Sequence, residues 1–599
     1  MKNIISPVLG IVVGLATLNS CSDYLDADNK SAGTLADEYF STDDGIEAAR
    51  VTAFNALYAV GSNYAMYCAG TDIYQAAGGN TTYQEFDCYY LTDDDTDVRS
   101  FYVNCYSLEQ YANFYIETAG EGTDGEAEGI FLRAYAYYLL TQQFGGVPYI
   151  GYYVTDVTRN FPKASLDSIY SIMEEQLEDV YNSGLLPSTS SDGSISNQAV
   201  ACLLAKFYLA DAWDNDTELT DASNGTYSVS STSKFSTAAS WAEKAIDGAE
   251  LTQTFADKWS PFNEPNEEQL WSIQYDRSSY PGDITEGGHG MQSMFGSYYN
   301  APENGGQKAV NHNGVQNLKS AYLWDEGDVR YEETFMLKMY NWDGDEDHWS
   351  TIGYFGYYNN GDPDTLRIAY QYYPYWWTDE EIEADFAEHA SQYVNPVLVS
   401  TSAYKVASPV TRYEFDTEGN WSRSYMTFDA FNAMTSSGST VKKFDDADTQ
   451  QLNSQTIDYR DIVVFDLSDM MLTAAEAYLL CGDNSDALAY VNEIRERAGA
   501  STLSSFDSYS PNYSYTRSLR PLDVILDERA RELYGQQLRW MDLRRTRQLV
   551  RYNIEFNDEI SSVSDMTGTD GNIKWLRPIP EDAISGNNSL TDEDQNPGY

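Results

Sequence analysis

Positive charge is what this chain has least of. Its 599 residues carry 36 Lys and Arg against 93 Asp and Glu, a net charge of −57. A field of that sign repels phosphate backbones, so no nucleic acid partner is expected. Histidine is scarcer still. The four residues at 289, 312, 348 and 389 are too scattered for a His-Glu-x-x-His zinc site or a locally spaced triad. Of six cysteines, none forms a Cys-x-x-Cys pair and none has a histidine at ligand spacing, which argues against zinc. Gly-x-Ser-x-Gly, the P-loop and Gly-x-Gly-x-x-Gly are all missing, so no cofactor and no catalysis are expected. The carboxylates are too numerous for any two to be singled out as a glycosidase acid and nucleophile. Beyond the N-terminus no segment reaches the ~20 consecutive apolar residues of a membrane-spanning helix.

Aromatic residues, by contrast, are plentiful. They make up 14% of the chain, with 50 Tyr against 23 Phe, and tyrosine suits half-wet surfaces where the ring packs and the hydroxyl stays solvated. The N-terminus reads as a secretion signal: basic Lys2, an apolar run from Ile4 to Leu18, then small polar residues up to Cys21. Leu18-Asn19-Ser20-Cys21 resembles a bacterial lipobox. Residues 1–20 would be removed and Cys21 lipidated, leaving the protein anchored to a membrane. Outside the cytoplasm a disulfide among Cys68, Cys88 and Cys105 is permitted, with no pair fixed by spacing.

Helical periodicity recurs along the chain. It marks residues 43–60, with Ile46, Ala49, Ala53, Leu57 and Val60 on one face, then 129–144, 165–181 with Ser165 as N-cap, 197–213 and 235–249. Later it marks 461–480 and 486–498. Between 61 and 97 the period fails, tyrosines crowd, and Gly78-Gly79-Asn80 signals a turn. Residues 251–465 carry Gly, Asn, Tyr and Trp without long helices, and so predict short elements laid on a helical scaffold. A weak repeat of small residues before a tyrosine (134–139, 205–209, 474–479) has the logic of tetratricopeptide hairpins. From Pro521 to Arg551, seven arginines (529, 531, 539, 544, 545, 547, 551) lie among acids at 527, 528, 532 and 542. Ion pairing between helices is the expected use, with an anion site as the alternative. Trp540 is expected to be buried scaffold.

The segment ILDERARELYGQQLRWMDLRR closely resembles the C-terminal signature of the SusD/RagB family. FLRAYAYYLLTQQFGGVPYI resembles its other hallmark, and Tyr106 with Asn113, Trp575 to Pro580, and Asn596 to Tyr599 match further segments. The resemblance implies a mostly α fold in which tetratricopeptide-type helical hairpins form a superhelical scaffold, with a large irregular mixed region packed on it. It divides the chain into an N-terminal helical region (21–250), an irregular ligand-specificity region (251–465) and a C-terminal helical region (466–599). It also implies a non-catalytic outer-membrane lipoprotein that binds an oligosaccharide beside a SusC-like TonB-dependent transporter. Peptide cargo, or a glycosidase, is the alternative.

Within that expectation the ligand face combines the tyrosine-rich loop with aromatic clusters of the irregular region. Tyr74, Tyr83, Tyr280, Trp342, Trp376 and Trp377 are the stacking candidates, with Asp72 and Asn80 as polar partners. Core packing is the competing role for each ring. Asp343, Asp345 and Asp347 hint at calcium, but His348 and Tyr354 occupy the places where an EF-hand needs Gly and Glu.

Overall fold

The structure is a computed structural model. It describes residues 36–76, 80–276, 278, 287–295, 313–340, 368–389, 393–400, 410–415, 421–426, 440–446 and 457–599. Its scaffold is helical and its helices begin where side-chain caps begin them. Thr42 accepts from the Gly45 amide at the start of Asp43–Asn55. Asp95, Ser165 and Ser196 do the same for Thr96–Ala119, Leu166–Ser183 and Asn197–Asn215. Each such cap satisfies an amide that the helix itself leaves unbonded. Asp124–Phe144 ends at Gly145, whose φ is +72°. A Cβ there would lie 2.8 Å from Leu576 Cδ1, so glycine serves both the turn and the close approach of the C-terminal segment.

Consecutive helices pack as hairpins. Thr96–Ala119 lies on Asp124–Phe144, Leu166–Ser183 on Asn197–Asn215, and Asn197–Asn215 on Ser233–Ile246. Across the chain, Ser233–Ile246 meets Leu467–Cys481, which packs on Asn484–Arg497 and Pro521–Glu532. The repeat's alanines at 134, 136, 205, 474, 475 and 477 are all buried, and these small side chains let the helix axes approach closely. The sequence expectation of helix over 461–480 needs one correction. Ile462–Asp466 is a strand, paired antiparallel with Gln269–Ile273, and the helix starts only at Leu467. The run Ile462-Val463-Val464 is β-branched and favours the pleated conformation, and Asp466 then caps the helix through the Ser468 amide.

The irregular region contributes short helices and a five-stranded sheet. Its order is Trp421–Met426, Val410–Phe415, Tyr393–Ser400, Ile368–Tyr373 and Lys338–Tyr340. Only the 368–373 and 393–400 pair is parallel. A two-strand pairing, Tyr74–Gln75 with Val315–Gln316, ties the tyrosine-rich loop to this region.

The arginine-rich stretch forms the helices Pro521–Glu532, Arg539–Arg545 and Leu549–Phe556. All seven of its arginines are ion-paired. Arg529 reaches Asp542 at 2.7 Å and Asp469 at 2.8 Å, Arg531 reaches Glu528 at 2.7 Å, and Arg539 reaches Asp72 at 2.6 Å. Arg544 and Arg547 share Asp214 at 3.0 Å each, Arg545 bridges Glu476 and Asp542, and Arg551 meets Asp523 at 2.7 Å. Removing one member of such a buried pair costs about 3–5 kcal/mol, because its partner is left charged in a dry site. Trp540 is 1% exposed, with the Arg577 guanidinium 4.4 Å above its ring. Cys68, Cys88, Cys105, Cys202 and Cys481 are free thiols, so no disulfide closes the 68–105 stretch.

Candidate functional site

A polar cleft of about 500 Å³ opens where the C-terminal end of the Asp43–Asn55 helix, the 261–265 loop and the 269–273/462–466 strand pair meet. Because those two strands run antiparallel, the exit of one lies beside the entrance of the other. Tyr275, just past the first, donates its amide to Asp461 Oδ1, just before the second, at 3.0 Å. Asn55 and Tyr58 form one wall, Pro261, Glu264 and Pro265 another, with Gln274, Asp276, Gly287 and Tyr459 completing the lining.

Tyr58 and Tyr275 form an aromatic pair with centroids 4.6 Å apart and a 38° tilt. Tyr58 is 41% exposed, and its hydroxyl donates to the Gln274 carbonyl at 3.0 Å. Tyr275 also meets His289, with ring centroids 4.5 Å apart and ring planes at 74°. The His289 ring is fixed in one tautomer, since Nδ1 accepts from the Met291 amide and Nε2 lies 2.7 Å from the Arg460 carbonyl. Burial pulls its pKa down to about 4, so the imidazole that supports Tyr275 is neutral. Asp458, buried 3.1 Å from His289 Nε2, has its carboxyl pushed up by burial and by Asp446.

Two carboxylates of the lining differ in their surroundings. Glu264 accepts from Arg460 Nε at 2.9 Å and from Nη2 at 2.5 Å, and the remaining N–H groups of that guanidinium are spent on the carbonyls of Trp259, Lys443 and Asp445. Asp461 is raised to about 6 by burial, with the Glu264 charge adding to the effect. The cleft therefore offers an aromatic platform rimmed by oxygen acceptors. Among the described residues no group of three or more His, Cys, Asp or Glu is arranged to hold a metal.

The sequence-predicted site residues fall in several places. Asp72 and Tyr74 require correction, since both are buried scaffold. Asp72 is fully enclosed and bound to Arg539 and Lys319. Tyr74 is 6% exposed, accepts the Gly535 amide on its hydroxyl and packs on Tyr534. Aromatic density without a period suggested a surface there, but the short pairing with Val315–Gln316 carries this strand inward. Tyr83 is half-buried against Tyr64, and Asn80 donates to Asn313 Oδ1 at 2.8 Å. Trp376 stands half-buried beside Tyr375 and Tyr331, and Trp377 lies on Tyr373. Tyr280, Trp342, Asp343, Asp345, Asp347 and Cys21 lie outside the described residues.

The tyrosine-rich loop and the irregular region are thus in contact, through Asn80 and through the 74–75/315–316 pairing. Sequence reasoning passed over Tyr58, Tyr275, Glu264 and Asp461. A signal for Tyr58 was present: the helical stripe puts Leu57 and Val60 inward, which turns Tyr58 outward. Tyr275 and Asp461 meet only through the strand pair, which the sequence did not disclose.

Comparison with known proteins decides the relationship. The model of the SusD family matches residues 243–599, more than half of the chain. The chain belongs to the SusD family. A second family model, described as "Starch-binding associating with outer membrane", matches residues 23–209. The SusD-like protein P2 of Formosa agariphila is 27% identical over 219 residues, which cover 33% of this chain and 42% of the relative. SusD-like protein P38 of the same organism is 36% identical over 98 residues, 16% of this chain and 19% of the relative. This SusD-family chain thus aligns with less than half the length of either curated relative. Solved structures share the fold along nearly its whole length. A laminarin-binding SusD-like protein has a TM-score of 0.60 at 19% identity, covering 93% of this chain and 100% of that one. Surface glycan-binding protein A from Bacteroides thetaiotaomicron, in complex with laminarihexaose, has a TM-score of 0.58 at 18% identity, with 93% and 100% covered.

Proposed function

We propose that this SusD-family protein is a non-catalytic lipoprotein of the outer membrane that captures oligosaccharides at the cell surface. Anchored through Cys21, it passes them to a SusC-like TonB-dependent transporter. The observation that carries the reading is the Tyr58–Tyr275 pair set in a cleft of hydrogen-bond acceptors. Sugar rings present apolar C–H faces that stack on aromatic rings, and their hydroxyls donate to carboxylates and amide oxygens at the rim. Capture needs only these contacts, with no bond broken. The names of the laminarin-binding and laminarihexaose-bound relatives support carbohydrate as the cargo. Tyr83, Asn80, Trp376 and Trp377 would extend the contact surface, and residues 251–465 would set which glycan is taken.

Calorimetric titration against an oligosaccharide panel tests this. Saturable binding is expected, and Tyr275→Ala should weaken it by about 1–3 kcal/mol, by analogy with base stacking on aromatic side chains. A panel without a binder, together with peptides co-purifying from the native membrane, would transfer the reading to peptide cargo. Release of reducing sugar from the panel would make the protein an enzyme.

A further inference from the structure

We propose that the cleft selects neutral or amine-bearing oligosaccharides and rejects those carrying uronate or sulfate groups. The proposal rests on the oligosaccharide reading above and adds the charge class of the ligand. Three carboxylates line the cleft, Glu264, Asp276 and Asp461, and no Lys or Arg is among the described residues that line it. Among the described residues a base close to the cleft, Arg460, is 6% exposed and lies beneath the wall, where Glu264 and three backbone carbonyls use its N–H groups. Arg460 therefore offsets Glu264 and has nothing left to offer an incoming anion.

Among the described residues the other two acids have no such ion-pair partner at the cleft. Asp276 stands exposed at the rim and accepts both the amide of Ser278, at 2.7 Å, and its hydroxyl. Those two bonds hold it ionised, below the ordinary aspartate range. Asp461 accepts only the Tyr275 amide among the contacts seen for it. A sugar hydroxyl donating to either oxygen gains a charge-assisted hydrogen bond, and an ammonium gains more. A carboxylate or sulfate ester set over the tyrosine pair meets like charge at short range, which costs binding and is not relieved by the surrounding chain at −57.

The test is calorimetry on the full-length protein with three kinds of hexasaccharide: neutral glucohexaoses of several linkages, including laminarihexaose, a glucosamine hexamer and a galacturonate hexamer. The galacturonate hexamer is expected to bind at least about tenfold more weakly than the best neutral or amine-bearing ligand at low salt, with the gap narrowing at high salt. The double substitution Asp276→Asn, Asp461→Asn should raise galacturonate affinity while lowering neutral affinity, since asparagine keeps an acceptor oxygen but loses the charge that assists the bond, so the gap between the two ligands closes from both sides. Should that variant fail to fold, the wild-type ranking decides alone. Galacturonate bound as tightly as the neutral sugars, or bound through Arg277, which follows Asp276 in the sequence and lies outside the described residues, as shown by its loss in Arg277→Gln, would overturn charge selection and leave oligosaccharide capture standing. Neutral sugars that bind unchanged in Tyr275→Ala would overturn the assignment of selection to this cleft. A panel in which nothing binds would overturn capture and selection together.

Discussion

Asp72→Ala separates scaffold from site most sharply. The Asp72 carboxylate is fully buried and accepts Arg539 Nε and Nη2 at 2.7 and 2.6 Å, and Lys319 Nζ at 2.6 Å. Lys319 keeps a second carboxylate, Asp527, at 3.1 Å, whereas Arg539 has only the Leu526 carbonyl besides Asp72 among its hydrogen bonds. Alanine would leave the guanidinium without its counter-charge in a dry site, a loss of about 3–5 kcal/mol. That is a large share of the ~5–15 kcal/mol by which folded domains are stable. Arg539 and Lys319 hold the Asp72 carboxyl well below the usual carboxylate range against the opposing effect of burial. Its contribution is therefore complete above the unfolded pKa of about 3.9 and is lost only as pH falls toward the lowered folded value. Urea denaturation of wild type and Asp72→Ala should show a constant gap from neutral pH down to mildly acidic pH, narrowing only below it. Sugar affinity measured on the folded fraction should be unchanged. A variant that unfolds with wild-type midpoint and loses sugar binding would refute the reasoning and return Asp72 to the ligand face.

Trp540→Ala should cost about 3–5 kcal/mol by leaving a cavity under Arg577, read as a lowered urea midpoint with unaltered sugar affinity. Cys21→Ala should release the protein from the membrane fraction, because an acyl chain contributes about 0.8 kcal/mol per buried CH₂; persistent attachment on fractionation would contradict this. Asp461→Asn should stabilise the protein above pH 6 and bring no gain below about pH 4. The folded carboxyl at about 6 holds its proton more tightly than the unfolded one, so wild-type stability falls as pH rises through that window. Thermal melts across the pH range would show a parallel offset instead if Asp461 behaved as an ordinary surface acid.

Helices were the legible part of the chain because their signals are local. Ser165 caps the helix that its position foretold, Gly145 ends the one before the Phe-Gly-Gly turn, and the arginines after Pro521 found the carboxylates their number demanded. Ile462 to Asp466 was misjudged because its partner, Gln269 to Ile273, lies almost two hundred residues earlier in the chain, beyond the reach of periodicity. The same distance concealed the cleft. Tyr275 and Asp461 are ordinary residues until that strand pair sets them 3.0 Å apart. Asp72 and Tyr74 misled for the opposite reason, since a crowd of tyrosines looks alike at a surface and in an aromatic core.

The long-range bonds of the C-terminal segment also bear on timing. Asp72 waits for Arg539, 467 residues later, and the carbonyls of Ala65 and Ala69 are met by Arg577 more than five hundred residues downstream. Lys574 closes on the carbonyls of Tyr89 and Leu91. A ribosome releases the early residues long before their partners exist, so the loop holding the first tyrosines stays open to water, chaperones and proteases throughout synthesis. Closing contacts of such span is slow. A chain kept unlocked until its last eighth arrives would stay threadable for most of its synthesis, and the docking of residues 521–599 would end that stage.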